Sequence, residues 1–194
     1  MFTSSSYDPI HVFVVIPAYN EEQSIGKVIV EIPHIPRENV IVVSNNSSDN
    51  TEQVARVNGA TALVENRQGY GWACLKGIDY AIENGAKIIV FMDGDYSDYP
   101  SEMTEVLKPI LTQDMDMVIG SRTLGKRQKG SMTVPQVFGN WLATNLLKIF
   151  YGAHFTDLGP FRAIKTESLQ KLHMSDKTYG WTIEMQIKAA KKKL

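Results

Sequence analysis

Short, nearly continuous apolar runs alternate along the chain with stretches whose apolar residues recur at helical spacing. The runs are Val12–Ile16, Val40–Val43, Ala62–Val64, Ile88–Met92 and Met115–Ile119, most of them rich in valine and isoleucine. Strands that are apolar on both faces belong to a parallel sheet covered on both sides. Between them the pattern predicts helices over about residues 21–31, 49–57, 70–84 and 101–110. Ser48-Asp49 supplies an N-cap signal for the second, and Ser101 followed by Thr104 and Glu105 a weaker one for the fourth. This βαβα order predicts right-handed crossovers and ligand sites at the carboxyl ends of the strands.

After Gly120 the pattern changes. Residues 122–133 read as a polar, basic, glycine-punctuated loop, followed by a helix over about 135–151 with Phe138, Leu142, Asn145/Leu146 and Ile149 on one stripe. Phe155–Thr166 reads as a loop entering a short strand, and a small helix and a terminal one, Trp181–Leu194, follow. The expected organisation is one α/β domain over 1–194, with 1–121 binding the ligand and 122–194 as an appendage on the acceptor side. The terminal helix stops without a capping glycine or a turn, so the chain is expected to be a C-terminally truncated fragment.

Composition narrows the classes. The chain has 194 residues, 43% of them hydrophobic, enough to bury a core. A net charge of −1 with 21% charged residues argues against both a disordered chain and a general nucleic-acid binder. The single cysteine, Cys74, excludes an internal disulfide and fits a reducing compartment. The first residues lack the basic and apolar regions of a signal peptide. The apolar runs fall far short of the roughly 18 residues that cross a membrane. A cytoplasmic domain, at most peripheral to a membrane face, is expected.

The sharpest chemical signal is the strand Ile88–Met92 ending in Asp93-Gly94-Asp95. At the end of an extended segment, residues i and i+2 can point to one side, and Gly94 lets the backbone bend and a ligand come close. Mg²⁺ or Mn²⁺ takes carboxylate oxygens and leaves positions for phosphate; an acidic turn is the plainer alternative. At the end of the first strand, Pro17 forces the chain out of the sheet and Tyr19 can present a ring for stacking, although Glu21 and Glu22 also suit a helix start. At the end of the second, Ser44, Asn45 and the Ser47–Thr51 turn would suit reading a base edge, or else form a capped loop. Gly69-Tyr70-Gly71-Trp72-Ala73-Cys74 is two thirds of a dinucleotide fingerprint, with Cys74 where the third glycine should permit close helix packing. Gly69 and Gly71 fit a phosphate-proximal loop better than NAD binding. Arg122, Lys126, Arg127 and Lys129 form a basic run that is either solvated or receives phosphates. His154 and His173 have no metal-ligand spacing.

Taken in order, these motifs resemble the family 2 glycosyltransferases with the GT-A fold, in particular the dolichyl-phosphate sugar synthase-like branch. The residues that carry the resemblance are Ile16–Glu22, Ser47–Thr51, Asn66–Gly71, Asp93–Asp95, Gly120–Arg122 and Thr156–Arg162. It implies a Rossmann-like, mostly parallel sheet flanked by helices. It also implies that Pro17, Ala18, Tyr19 and Glu21 line a nucleoside pocket, that Asp93 faces ribose and metal, that Asp95 ligates the metal, and that Arg122 faces phosphate. Two departures stand out. Ser44 and Asn45 replace the acids usual at the end of strand two, and members of the branch continue beyond the helix where this chain stops. The expected activity is a metal-dependent, inverting transfer of a hexose from a UDP- or GDP-sugar to a polyprenyl phosphate. A soluble hydroxyl acceptor would instead require a base, for which Asp157 and Glu184 are the candidates. A sugar-phosphate nucleotidyltransferase and a non-catalytic nucleotide-sugar-binding module are the alternatives.

Overall fold

The computed structural model describes residues 11–121, 139, 141, 142, 144, 145, 148, 149, 151, 152 and 155–194. Arg122, Lys126, Arg127, Lys129 and His154, all singled out in the sequence, lie outside the described residues.

Six strands form one sheet: β1 (Val12–Ala18), β2 (Val40–Asn45), β3 (Thr61–Glu65), β4 (Ile88–Phe91), β5 (Met117–Ile119) and β6 (Arg162–Lys165). Their order is β3-β2-β1-β4-β6-β5. The first four are mutually parallel, while β6 runs antiparallel to both β4 and β5. The expected mostly parallel sheet is therefore present. The run ending at Ile119 does not pair with β4, however, because β6 inserts between them, with Val90 opposite Ala163 and Val118 opposite Ala163.

The helices are α1 (Ile25–Glu31), α2 (Thr51–Val57), α3 (Tyr70–Glu83), α4 (Met103–Gln113), α5 (Thr166–Leu172) and α6 (Trp181–Lys192). Residues 139, 141, 142, 144, 145, 148, 149 and 151 are also helical, within the stretch expected to be a helix. Two starts come later than the pattern suggests. α1 begins at Ile25 instead of residue 21, because the amides of Asn20, Glu21 and Glu22 donate to side chains of the β2–α2 loop. α4 follows a 3-10 turn at Pro100–Glu102 and continues past Pro109 to Gln113.

All seven residues of β1 are buried, as are all six of β2. Alternating side chains send Val12, Val14, Ile16, Val40 and Val42 to a core under α1 and α4, built with Ile25, Ile29, Met103 and Leu107. Phe13, Val15, Ile41 and Val43 go to the other face, with Cys74 and Ile78 of α3 and Trp181 and Met185 of α6. Burial on both faces is what gives these strands their unbroken apolar runs. α6 thus closes the second core; the Trp181 ring meets Phe91 edge-on at 6.3 Å.

Candidate active site

In an open sheet, the crevice lies outside the carboxyl ends of the strands where the strand order reverses. Here that point is between β1 and β4. A cleft of about 420 Å³ opens there, lined by Pro17, Ala18, Tyr19, Glu21, Asn45, Gln68, Gly69, Tyr70, Asp93, Gly94, Asp95, Thr178 and Tyr179. Eight of the sequence candidates meet in it: Pro17, Ala18, Tyr19, Glu21, Asn45, Gly69, Asp93 and Asp95. A larger hollow of about 740 Å³, lined by Lys87, Ile88, Lys165 and Thr166 among others, contains none of them.

The Asp93–Asp98 turn leaves β4 in a fixed shape. The Asp93 amide donates to buried Asp98 at 3.2 Å, and the Ser97 amide donates to Asp95 Oδ1 at 2.9 Å. A Cβ on Gly94 would stand 3.4 Å from Ala18 Cβ, so the two strand ends meet closely at this glycine. The left-handed residue of the turn is Tyr96 (φ 64°), whose hydroxyl donates to Glu31 at 2.6 Å while Lys27 sits over its ring. Asp95 is exposed at the mouth and Asp93 is half-buried beneath it.

Tyr70, at the start of α3, donates its hydroxyl to Asp93 Oδ1 at 3.1 Å. Burial of that end of the ring, more than the nearby Cys74 and Asp93, pushes the phenol well above its ordinary pKa. The hydroxyl therefore stays protonated and aims one carboxylate oxygen. Arg162 of β6 lies fully buried behind this pair and donates to the carbonyls of Thr182, Leu158 and Gly159. Burial lowers its pKa to about 10, against the opposing pull of Tyr70, Cys74, Asp93 and Asp157, so it remains a cation at neutral pH.

Asn45 and the Ser47–Thr51 turn, expected either to read a base edge or to cap a loop, make hydrogen bonds that hold the loops around the cleft together. Asn45 donates to the carbonyls of Glu65 (3.1 Å) and Arg67 (2.8 Å) and accepts from the Gly69 amide (2.8 Å). Its side chain thereby holds the β3–α3 loop in place. Ser47, Asp49 and Thr51 accept the amides of Asn20, Glu22 and Glu21, while Asn20 and Glu22 accept those of Ser48 and Asn50. This reciprocal lacing fastens the loop that carries Tyr19.

The two glycines of the partial fingerprint also make room for a neighbouring segment. A Cβ on Gly69 would collide with the Lys177 carbonyl, and one on Gly71 with the Asp176 carbonyl. Gly71 is buried outside the cleft lining, under the segment 175–180. That segment brings Thr178 and Tyr179 to the cleft, and nothing in the sequence alone had pointed to either; Tyr70 and Arg162 stood in motifs that carry the resemblance, without a role of their own. Asp157 is buried (1% exposed) away from the cleft lining, with its carbonyl accepting from Gln186 at 2.8 Å. Glu184 accepts from the amides of Ser175 and Asp176, from the Ser175 hydroxyl, and from Lys188. Burial raises its pKa, but these hydrogen bonds outweigh that and leave it at about 2.

A β3-β2-β1-β4 core with a polar cleft at its switch point defines a doubly wound α/β protein, here in the GT-A arrangement. The family model for glycosyl transferase family 2 matches residues 13–173, and the chain belongs to that family. It is 30% identical over 185 residues to glycosyltransferase AglJ of Haloferax volcanii, covering 95% of this chain and 60% of that protein. It is 28% identical over 204 residues to a UDP-N-acetylglucosamine–dolichyl-phosphate N-acetylglucosaminyltransferase of Methanococcus voltae, covering 94% and 81%. Among solved structures, it resembles Mycobacterium tuberculosis glucosyl-3-phosphoglycerate synthase in complex with Mn²⁺, UDP-glucose and glycerol 3-phosphate. That match has a TM-score of 0.73 and 25% identity, and covers 93% of this chain and 65% of that one. The chain thus spans less than two thirds of AglJ and of the synthase.

Proposed function

We propose that the chain belongs to a metal-dependent, inverting glycosyltransferase that moves a hexose from a UDP- or GDP-sugar to a polyprenyl phosphate. One observation carries this: Asp93 and Asp95 share a single cleft with Pro17, Ala18, Tyr19 and Glu21 at the switch point of the sheet. In this reading residues 1–121 bind the donor, joined at the cleft wall by Thr178 and Tyr179, and the rest of 122–194 serves the acceptor.

Asp93 and Asp95 would hold Mg²⁺ or Mn²⁺. Their carboxylates are the hard oxygen donors such ions take, and among the described residues no group of three or more His, Cys, Asp or Glu side chains could hold a metal. The donor's diphosphate and water would complete the coordination shell, as suits an ion that binds through its substrate. The ion would neutralise charge on the departing diphosphate. The chain's own residues do the rest: Tyr70 aims Asp93, Tyr19 offers a ring to the nucleoside, and Gly69 lets the backbone line the cleft. Arg122 would contribute a charge-assisted contact to phosphate.

The acceptor oxygen forms its bond to the anomeric carbon as the bond to diphosphate breaks, from the opposite face, so the configuration inverts. A phosphate oxygen is already anionic near neutral pH and needs no base. Both base candidates support that choice of acceptor: Asp157 is packed away from the cleft and Glu184 is committed to the 175–180 loop. The exposure of Trp141, Leu142, Ile149 and Tyr151 supports a lipid acceptor approached at the cytoplasmic face of a membrane. No helix among the described residues is long and apolar enough to cross one. The Methanococcus voltae relative is named for a dolichyl-phosphate acceptor, which supports the same class.

Incubating the protein with Mn²⁺, labelled UDP- and GDP-hexoses and polyprenyl phosphate should carry label into the organic phase. Label transferred only to a soluble hydroxyl acceptor would overturn the lipid assignment and leave the donor site standing.

A further inference from the structure

We infer that Tyr179 contacts the nucleobase, and that this cleft recognises the base by stacking against Tyr19 and Tyr179 more than by reading its edge. The inference rests on the donor-site reading above and adds how the base is held.

Three observations converge. First, Asn45 and the Ser47–Thr51 turn, the candidates for reading the base edge, are occupied by backbone and by one another. Asn45 makes three hydrogen bonds to the β3–α3 loop, and the Ser47–Thr51 turn is laced to residues 20–22. Second, the aromatic rings offered to the cleft are exposed: Tyr19 is 56% and Tyr179 89% accessible, although both line it. An aromatic side chain left this open in a cleft has a flat face available for a ligand.

Third, the loop that presents Tyr179 is fastened on every side. Glu184 accepts the amides of Ser175 and Asp176, and Asp176 Oδ1 accepts the amide of Thr178 at 2.7 Å. Lys177 lies over one ring, that of Trp72, at 4.5 Å, and Arg67 lies over the same ring at 3.6 Å. Beneath, the Asp176 and Lys177 carbonyls occupy the space that side chains on Gly71 and Gly69 would fill. A segment anchored this way loses little freedom when a ligand docks, so most of the stacking energy appears as affinity. Every base has a π-face, so stacking tolerates a change of base. Gln68, an exposed amide on the same wall, supplies at most a modest preference.

The test is calorimetric titration of wild type, Tyr179→Phe and Tyr179→Ala with UDP, GDP and inorganic diphosphate, each in the presence of Mn²⁺. Tyr179→Ala should weaken UDP and GDP alike, by about tenfold, and leave diphosphate unchanged within about twofold. Tyr179→Phe should keep wild-type affinity for all three. Unchanged nucleotide binding in Tyr179→Ala overturns the inference alone, and so does an equal loss for diphosphate, which would mark a displaced loop. A base preference above about tenfold that survives Tyr179→Ala also overturns it. Wild-type protein that binds none of the three overturns the donor-site reading beneath it.

Discussion

Replacing Gly77 with alanine tests how the cleft is held together from behind. α3 lies closest to the sheet at Gly77. A Cβ there would overlap Val15 Cγ1 and stand 3.1 Å from Val15 Cγ2 and 3.3 Å from Val43 Cγ2. Neither valine has room to yield. Both are fully buried, in strands paired on both sides, and a β-branched side chain has few rotamers to choose from. Overpacking of this kind costs about 1–3 kcal/mol, and the better helix propensity of alanine returns up to about 1 kcal/mol. Because the overlap falls on valines that cannot yield, the cost belongs to the upper part of that range, about 2–3 kcal/mol, and the expected net loss is about 1–2 kcal/mol. Urea unfolding followed by circular dichroism should show a lower midpoint with an unchanged slope. Because α3 also carries Tyr70 and Gly69, a helix pushed outward should loosen the Tyr70–Asp93 hydrogen bond and weaken nucleotide binding. A Gly77→Ala protein as stable as wild type, or more so, would refute the packing that places α3.

Glu184 gives a pH-dependent prediction. Its folded pKa of about 2 lies below the ordinary 4.5, so its stabilisation is full above about 4.5 and drains away as pH falls toward 2. Glu184→Gln should therefore cost about 1–3 kcal/mol at neutral pH, with the gap to wild type closing across that acid window. A gap that does not change with pH would contradict it. Asn45→Asp should destabilise more than Asn45→Ala, since it turns a carboxylate oxygen toward the Glu65 and Arg67 carbonyls that now receive hydrogen bonds. Thermal melts of the two variants in the opposite order would show that the amide is not holding the loop.

The parallel half of the sheet was legible because β1, β2 and β4 are buried on both faces and so read as apolar runs. The cleft was legible because strand ends carry its residues, and Tyr19, Asn45, Asp93 and Asp95 each follow or close such a run. What escaped depends on long-range packing. Nothing local in Arg162–Lys165 says that it enters the sheet between β4 and β5, antiparallel. For Asn45 and the Ser47–Thr51 turn the sequence left base reading and a capped loop both open, because a loop's hydrogen-bonding groups look the same whether they face a ligand or a neighbouring loop. Cys74 in place of the third fingerprint glycine looked like a loss of close packing, yet the close approach falls one turn later, at Gly77. Tyr179 was invisible because its loop reaches the cleft only by resting on two glycines a hundred residues earlier in the chain.

The central claim is that Asp93 and Asp95 form a metal-dependent site for a nucleoside diphosphate. Titrating UDP and GDP into the wild-type chain and into Asp95→Ala, with Mn²⁺ and with chelator, measures it directly. Asp95 is exposed at the cleft mouth and its one structural contact among the described residues is with the Ser97 amide, so its removal should lower the thermal melt only slightly. Wild type should bind at least one nucleotide only when Mn²⁺ is present, and Asp95→Ala should lose most of that binding. Nucleotide binding that is equally tight in chelator, or unchanged in Asp95→Ala, would contradict the account.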